Sequence, residues 1–280
     1  MPDPLKPNTE TALQAWADRV RANHEQVGRF REVADGADFY APVAQAFRAQ
    51  PDRTEDHVLN TVLDLAIPGE TWLDIGAGGG RYGLPLARKA GQVIAVDPSE
   101  GMLQVFREDA EAFGIGNVRI IHGRWPIADP PKADAALIAN VGMDIEDFGP
   151  FLDAMEASAR RLCVAVMGHR QATVVFDQLW PLVHDEARVP LPSLPEFLVL
   201  LLARGRLFEL RLAERPAMTY SSMDELLSFV RRQTWVTPGS EKDKKLQALL
   251  AETATERDGR LALSWEPVVA GVVSWKPGPA

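Results

Sequence analysis

The chain has 280 residues, a formal net charge of −9 and a sequence pI of about 5.1. That acidic balance, with no dense Lys/Arg run, argues against gripping a nucleic-acid backbone; 46% hydrophobic and 25% charged residues suit a globular chain of one large α/β domain, or a domain with a cap. Cys163 is the only cysteine, which excludes intramolecular disulfides and multi-cysteine zinc sites.

Residues 1–10 are polar and carry Pro2, Pro4 and Pro7, a loosely attached end without the apolar core of a signal peptide. From Thr11, Leu13, Trp16, Val20, Val27 and Phe30 recur at helical spacing. Residues 35–38 break this helix, and Phe39 to Phe47 predicts a second, short one. Pro51-Asp52-Arg53 is another break. Thr54, Asp56 and His57 open a third helix that runs to Leu65 and ends at Pro68-Gly69. These helices are expected to pack over the ligand mouth of a sheet, with residues 1–55 as an N-terminal helical cap and 56–280 as the main domain.

Strand and helix then alternate. Strands are predicted at 71–75, 92–96, 118–121, 135–139 and 162–167, with helices between them, one from about Gly149 to Arg160. The apolar run at 92–96 is typical of a parallel strand covered on both faces, and the rhythm as a whole predicts a Rossmann-like, doubly wound sheet with right-handed crossovers. Cys163 lies in the run LCVAVM and reads as a buried thiol. Between Gly168 and Arg206 the rhythm changes: Pro181, Pro190, Pro192 and Pro195 punctuate an irregular stretch before a helix at 196–203, predicting a cap insertion over about 170–206. Leu207 to Leu212 predicts a sixth strand, 222–232 and 241–253 two more helices, and Leu261 to Trp275 a last strand with a bulge or bend at Gly271. The longest apolar cluster, Phe197 to Ala203, is too short to cross a bilayer, so a cytoplasmic location is expected.

The chemistry concentrates in TWLDIGAGGGRYGLPLA, Thr71 to Ala87, a strand, a glycine turn and a helix. Asp74 stands in an apolar strand, where a carboxylate is costly unless it is hydrogen-bonded or serves a ligand. Gly76, Gly78, Gly79 and Gly80 let the backbone turn and a ligand approach closely. A dinucleotide pyrophosphate wants G-x-G-x-x-G, but Arg81 occupies the third glycine's place, which counts against an NAD(P)-dependent oxidoreductase. S-adenosylmethionine offers instead a sulfonium, an ammonium, a carboxylate, a ribose diol and an adenine. The strand ends supply that inventory: Asp74 and the backbone of Gly76, Ala77, Gly78 and Gly80 for the methionine end; Asp97, followed by Pro98, for the ribose hydroxyls; Met102 and Trp125, after Gly123 and Arg124, for the adenine; Asn140 and Val141 for the floor beneath the methyl. Carboxyl ends of strands are where open α/β sheets bind ligands.

Four segments, LDIGAGGGRYGLPLA, VIAVDPSEGML, NVRIIHGRWP and ADAALIANVGMD, follow one another in an order and at a spacing that resemble the class I S-adenosylmethionine-dependent methyltransferases, over about residues 55–170. The resemblance implies a seven-stranded sheet, mostly parallel with an antiparallel last strand, and the residue roles just given. One departure is that Gly123-Arg124-Trp125 stands where many members carry an acid for the adenine amine. The segment Asn140-Val141-Gly142-Met143 also lacks the Pro-Pro-aromatic run of amine-methylating members, which with the acidic charge argues against a nucleic-acid acceptor.

The acceptor is expected to be a small organic molecule attacked through O, N or C. Phe176, Leu179, Trp180, Leu182, Val183, Leu194 and Phe197 would form an apolar lid over it, or else fill a core or a homodimer interface. If a general base is used, His169, His184 and Tyr40 are the candidates. A non-catalytic S-adenosylmethionine-binding regulator is the competing reading. No metal or membrane is called for.

Overall fold

The computed structural model describes residues 8–32, 38–169 and 178–278. Helix α1 spans Thr9–Phe30 and begins where the Asn8 side chain accepts the Thr11 N–H. A 3-10 helix, Ala41–Phe47, takes the place of the predicted second helix. Helix α2 is His57–Asp64, capped by Asp56, whose Oδ1 accepts the Leu59 N–H at 3.0 Å. There follow β1 Thr71–Ile75, α3 Gly83–Lys89, β2 Gln92–Asp97, α4 Glu100–Ala112, β3 Val118–His122, β4 Ala133–Ala139, α5 Phe148–Ser158 and β5 Ala159–Gly168. After β5 come α6 Leu179–His184, α7 Leu194–Ala203, β6 Phe208–Arg215, α8 Met223–Thr234, α9 Glu241–Thr253, β7 Thr255–Arg257, β8 Arg260–Ala262 and β9 Val268–Trp275.

Seven strands form one sheet in the order β3-β2-β1-β4-β5-β9-β6. The pairings from β3 to β5 are parallel, and β9 runs antiparallel to both β5 and β6. The order reverses at β1, so the carboxyl ends of β1, β2 and β4 surround the crevice where such sheets place a ligand. The last strand differs from the expectation in extent. Leu261 belongs to the separate β7–β8 hairpin and bridges to Tyr220. Gly271 pairs with Met167 on one side and Leu212 on the other without a register break, so no bulge forms there. Glycine is needed at that position for room, because a Cβ would lie 2.6 Å from Leu194 Cδ2.

Each face of the sheet carries its own core. One contains Leu73, Ile75, Ile138, Phe148, Phe151 and Cys163; burial pushes the Cys163 thiol up, keeping it neutral. The other joins Val58, Leu59 and Val62 of α2 to Trp72, Leu84, Phe106 and Val164. Helix α1 belongs to the first: Trp16 stacks on Phe148 with ring centroids 4.6 Å apart and donates its indole N–H to the Ile145 carbonyl at 3.0 Å. So does α7, whose Leu194, Phe197, Leu200 and Leu201 are buried beside Trp275. Leu194 and Phe197 therefore close the sheet's core and are not lid residues, which corrects the expectation for the second half of the 170–206 insertion. Beneath them Glu156 accepts the Arg206 guanidinium (3.0 and 2.7 Å) and the Trp275 indole N–H (2.9 Å). A third core, separate from the sheet, joins Leu179 and Val183 of α6 to Leu226, Val230, Leu246 and Leu250 of α8 and α9 and to Tyr220. Phe176 lies outside the described residues, and Leu182 is exposed.

Candidate active site

The glycine turn is built by backbone hydrogen bonds into β2. Gly76 and Ala77 donate their N–H groups to the Val96 carbonyl at 2.7 and 3.2 Å. Gly76, Gly78 and Gly80 all take positive φ (72°, 53° and 87°), the region in which a Cβ is penalised. Part of the run answers to packing: a Cβ on Gly76 would collide with Val141 Cγ2, and one on Gly80 would lie 2.8 Å from Leu84 Cγ.

Asp74 sits at the foot of the turn and is 2% exposed. Its Oδ2 has no hydrogen-bond partner among the described residues. A Cβ on Gly83 would approach that oxygen to 2.8 Å, so the missing side chain is what lets the first turn of α3 face the carboxylate. Burial first, and the charge of Asp97 second, push the Asp74 carboxyl up to about 7, against a partial offset from the Gly83 amide. A buried carboxylate with an open oxygen is costly unless a cation meets it. This is the atom that fits a ligand ammonium.

Asp97 ends β2. Its Oδ2 accepts the Gly78 N–H and its Oδ1 the Ser99 N–H, both at 2.8 Å. Burial raises its carboxyl and those two amides counter the rise. The two amides fix the carboxylate's direction and leave lone pairs for a diol. Pro98 and the Gly123 backbone stand beside it: the Gly123 N–H donates to the Asp97 carbonyl at 3.0 Å, and the Pro98 carbonyl pairs with His122 Nε2 at 3.0 Å. Met102 is buried, packs with Ala44 and Val105, and brings its Cε within 3.1 Å of a Cβ on Gly78. Asn140 turns the chain out of β4 with φ 57°, and Val141 lies over Gly76. The structure thus brings Asp74, Gly76, Ala77, Gly78, Gly80, Asp97, Pro98, Met102, Gly123, Asn140 and Val141 to one edge.

Trp125 and Arg124 differ. Trp125 is buried in the sheet's core and donates its indole N–H to the Phe151 carbonyl at 3.2 Å, so packing occupies it and it does not line an adenine slot. The side chain of Arg124 is exposed beside it.

Of the base candidates, Tyr40 lies nearest the crevice. It packs edge-on against Phe39 and Phe47. Burial first, then the charges of Asp144 and Asp97, shift its phenol upward. His169 is exposed just past β5, its N–H donated to the Val269 carbonyl at 3.1 Å. His184 is a core residue: Nε2 meets the Thr234 carbonyl at 2.8 Å, the ring tilts against Trp180 and Phe30, and burial lowers its pKa. It is removed from the crevice.

The sequence reading missed Asp38, which pins the strap that carries Tyr40. Its Oδ2 accepts Ser99 Oγ (2.9 Å) and the Gly101 N–H (3.0 Å), and its Oδ1 the Tyr40 and Ala41 N–H groups (both 3.1 Å). The far end of the strap is held by Arg48, paired with Glu108 and Asp109 of α4. An Asp followed closely by Ala-Pro was the available sign of such a turn.

Comparison with known proteins bears on the stretch that forms this crevice. The sequence model of the methyltransferase-domain family matches residues 73–163, the stretch from β1 into β5. This stretch carries a methyltransferase domain. A crystal structure of a methyltransferase of this cofactor class from Thiobacillus denitrificans, solved with S-adenosyl-L-homocysteine, shares the fold with a TM-score of 0.54 and 19% identity, over 88% of this chain and all (100%) of that one. An uncharacterized protein of Haemophilus influenzae is 31% identical over 94 residues, 33% of this chain and 35% of that protein. The ribosomal RNA small subunit methyltransferase G of Neisseria gonorrhoeae is 31% identical over 93 residues, 32% of this chain and 45% of that protein. The chain thus matches about a third to under half of the length of these curated relatives. Helix α1, the strap and the α6/α8/α9 unit lie outside the matched residues 73–163. Among the described residues no group of His, Cys, Asp and Glu side chains is arranged to hold a metal, and no helix is long and apolar enough to cross a membrane.

Proposed function

We propose that the chain transfers a methyl group from S-adenosylmethionine to a small organic acceptor. The observation that carries this is Asp74: a buried carboxylate at the foot of the glycine turn whose Oδ2 has no hydrogen-bond partner among the described residues, with a second, oriented carboxylate at Asp97. When bound, the cofactor supplies an electrophilic methyl on a sulfonium whose departure leaves a neutral thioether. The residues around it do the rest by positioning. Asp74 pairs with the ammonium and Asp97 accepts the ribose hydroxyls. The positive-φ glycines bring bare backbone against the methionine chain. Met102, under the strap, covers the base, with the Gly123 amide region beyond it. Asn140 and Val141 form the floor on the transfer side, and the strap from Asp38 to Phe47, carrying Tyr40, excludes water from above. Tyr40 and His169 are the groups placed to take a proton from an oxygen or nitrogen acceptor. The N-terminal segment through residue 55 and the α6/α8/α9 unit act as the caps that select that acceptor. A cytoplasmic setting suits a reaction that needs only soluble small molecules, and a homodimer is compatible with it.

Calorimetric titration with S-adenosylhomocysteine tests the cofactor; one site per chain is expected, and no heat of binding would refute the proposal. The acceptor class is tested by transfer of labelled methyl from S-adenosylmethionine into a small-molecule extract and, in parallel, into ribosomal RNA. The relatives named for ribosomal RNA favour the second substrate; the net charge of −9 favours the first.

A further inference from the structure

Two guanidinium groups meet one carboxylate beside the glycine turn, and a third stands within its electrostatic reach. Asp56 accepts Arg53 Nε at 3.2 Å and Arg81 Nη2 at 2.7 Å on Oδ2, while its Oδ1 takes the Leu59 N–H. Arg53 is fully engaged, its other nitrogens donating to the Gln50 and Arg81 carbonyls at 3.0 and 2.9 Å. Arg81 is not: its Nε is buried without a partner.

The third group is Arg215, the last residue of β6. Arg211, Ala213 and Arg215 alternate onto one face of that strand, and Ala213 packs into the core that α2 supplies. Arg211 feels the charge of Asp64, at the carboxyl end of α2. Two steps beyond Ala213, Arg215 therefore falls at the opposite end of α2, where Asp56, Arg81 and Tyr82 stand and act on it electrostatically. Its guanidinium makes no hydrogen bond or ion pair among the described residues, and the residue is half-buried. Asp56 already accepts three hydrogen bonds, none of them from Arg215, so the cluster holds three cations against one anion. A partly buried cation left this way costs free energy, and nothing in the packing requires a guanidinium here.

Its position says what it faces. Ala213, Ala270 and Gly168 are level across β6, β9 and β5, and Glu214 is level with Val269, which receives the His169 N–H. Arg215 thus stands at the same edge as His169, on the β5/β6 side of the crevice, across from the β2/β3 side that holds Asp97. Arg81 follows Gly80 directly and links the cluster to the turn.

We propose that Arg215, next to Arg81, seats an acidic group of the methyl acceptor, so that the substrate is a small organic acid bearing a carboxylate or phosphate. A guanidinium fork matches the planar oxygens of such a group. The inference rests on the methyl-transfer reading above, with the acid held on the β6 side and the nucleophile directed toward the transfer floor at Asn140 and Val141.

The test titrates benzoate and inorganic phosphate, as carboxylate and phosphate probes, into the protein alone and into the protein saturated with S-adenosylhomocysteine. It uses the wild type, Arg215→Gln and Arg215→Lys. One probe is expected to bind the wild type, to bind Arg215→Gln at least about tenfold more weakly and to fall between for Lys, which keeps charge and loses the fork. Affinity for S-adenosylhomocysteine is expected to stay within about twofold, because Arg215 stands away from its carboxylate anchors. Failure of both probes on the wild type overturns the proposal, as does probe binding indifferent to Arg215. A comparable loss of S-adenosylhomocysteine affinity in Arg215→Gln would also overturn it, assigning the seat to the cofactor's own carboxylate. Binding of a short single-stranded RNA that beats both probes and depends on Arg215 would replace the small acid with a polynucleotide. Failure of the methyl-transfer reading looks different: the wild type then binds no S-adenosylhomocysteine, while the probe titrations on the free protein still report on the seat.

Discussion

On the proposed reading, Asp74 makes cofactor binding a proton-coupled event. With its carboxyl pushed up to about 7, the free protein carries about 0.9 of a proton there at pH 6 and about 0.1 at pH 8. An ammonium meeting Oδ2 holds the group ionised. Binding of S-adenosylhomocysteine should therefore release about 0.9 proton at pH 6 and about 0.1 at pH 8, with affinity about tenfold weaker at the lower pH. The folding side has the matching sign. For a carboxyl raised by burial, the stabilising effect of the proton is fully present below the unfolded pKa of 3.8 and is lost as pH rises through about 7, a loss of up to roughly 4 kcal/mol in the free protein. Calorimetry at pH 6 in two buffers of different ionisation enthalpy reads the released proton directly, and Asp74→Asn, which cannot ionise, should abolish the release. Equal binding enthalpies in both buffers at pH 6, together with an affinity unchanged between pH 6 and 8, would refute the assignment of Asp74 to a ligand cation.

Asp97→Ala removes the acceptor of the Gly78 and Ser99 amides, and S-adenosylhomocysteine affinity should fall by about 2 kcal/mol, or roughly thirtyfold, by calorimetry. Gly76→Ala forces a Cβ onto Val141 at positive φ; the melting temperature should drop by the equivalent of more than ~1 kcal/mol, whereas Gly114→Ala, at φ 62° with nothing within 4 Å, should cost only the conformational penalty of about 1 kcal/mol. Glu156→Ala strands the Arg206 guanidinium and the Trp275 indole, and denaturant unfolding should show a loss of about 3 kcal/mol; because Arg206 and Trp275 hold that carboxyl low against burial, its contribution is present above the unfolded pKa of 4.5 and fades as pH falls below it. Asp38→Ala unties the strap from α4, so limited proteolysis should cut between residues 38 and 48 faster than in the wild type while the melting temperature of the sheet moves little.

The parallel half of the fold was legible because its strands are short, mostly apolar runs that end in polar residues or glycines, and the helices between have clear periodicity. Asp74, Asp97 and the glycines could be read for the same reason: polar or Cβ-free residues at apolar strand ends have few structural excuses. Tertiary context decided the rest. Trp125 looks alike in sequence whether it lines a slot or fills a core, and only the Phe151 carbonyl beneath its indole N–H distinguishes the two. Leu194 and Phe197 read as lid residues because prolines surround them, yet β9 needs them as cover. His184 falls in the cap segment, where a base was sought, but the Thr234 carbonyl that claims it is fifty residues away in sequence. Arg215 gave no signal at all: an arginine after an amphipathic strand is commonplace until α2 is laid against it.

The place of β9 sets the order in which this chain must be assembled on a ribosome. Among the described residues β6 touches the sheet only through β9, which begins 53 residues later. At synthesis rates of about 5–20 residues per second, β6 has no strand to pair with for roughly 3–10 s after it is made. During that interval Leu210 and Leu212 stand on a strand with both edges open, the kind of segment that associates with other nascent chains. The charges in FELRLAER, on both sides of Leu210 and on one side of Leu212, serve as gatekeepers over those seconds. A fusion or truncation that perturbs residues 268–275 should thus be felt first as aggregation during expression, before any effect on the crevice is measurable.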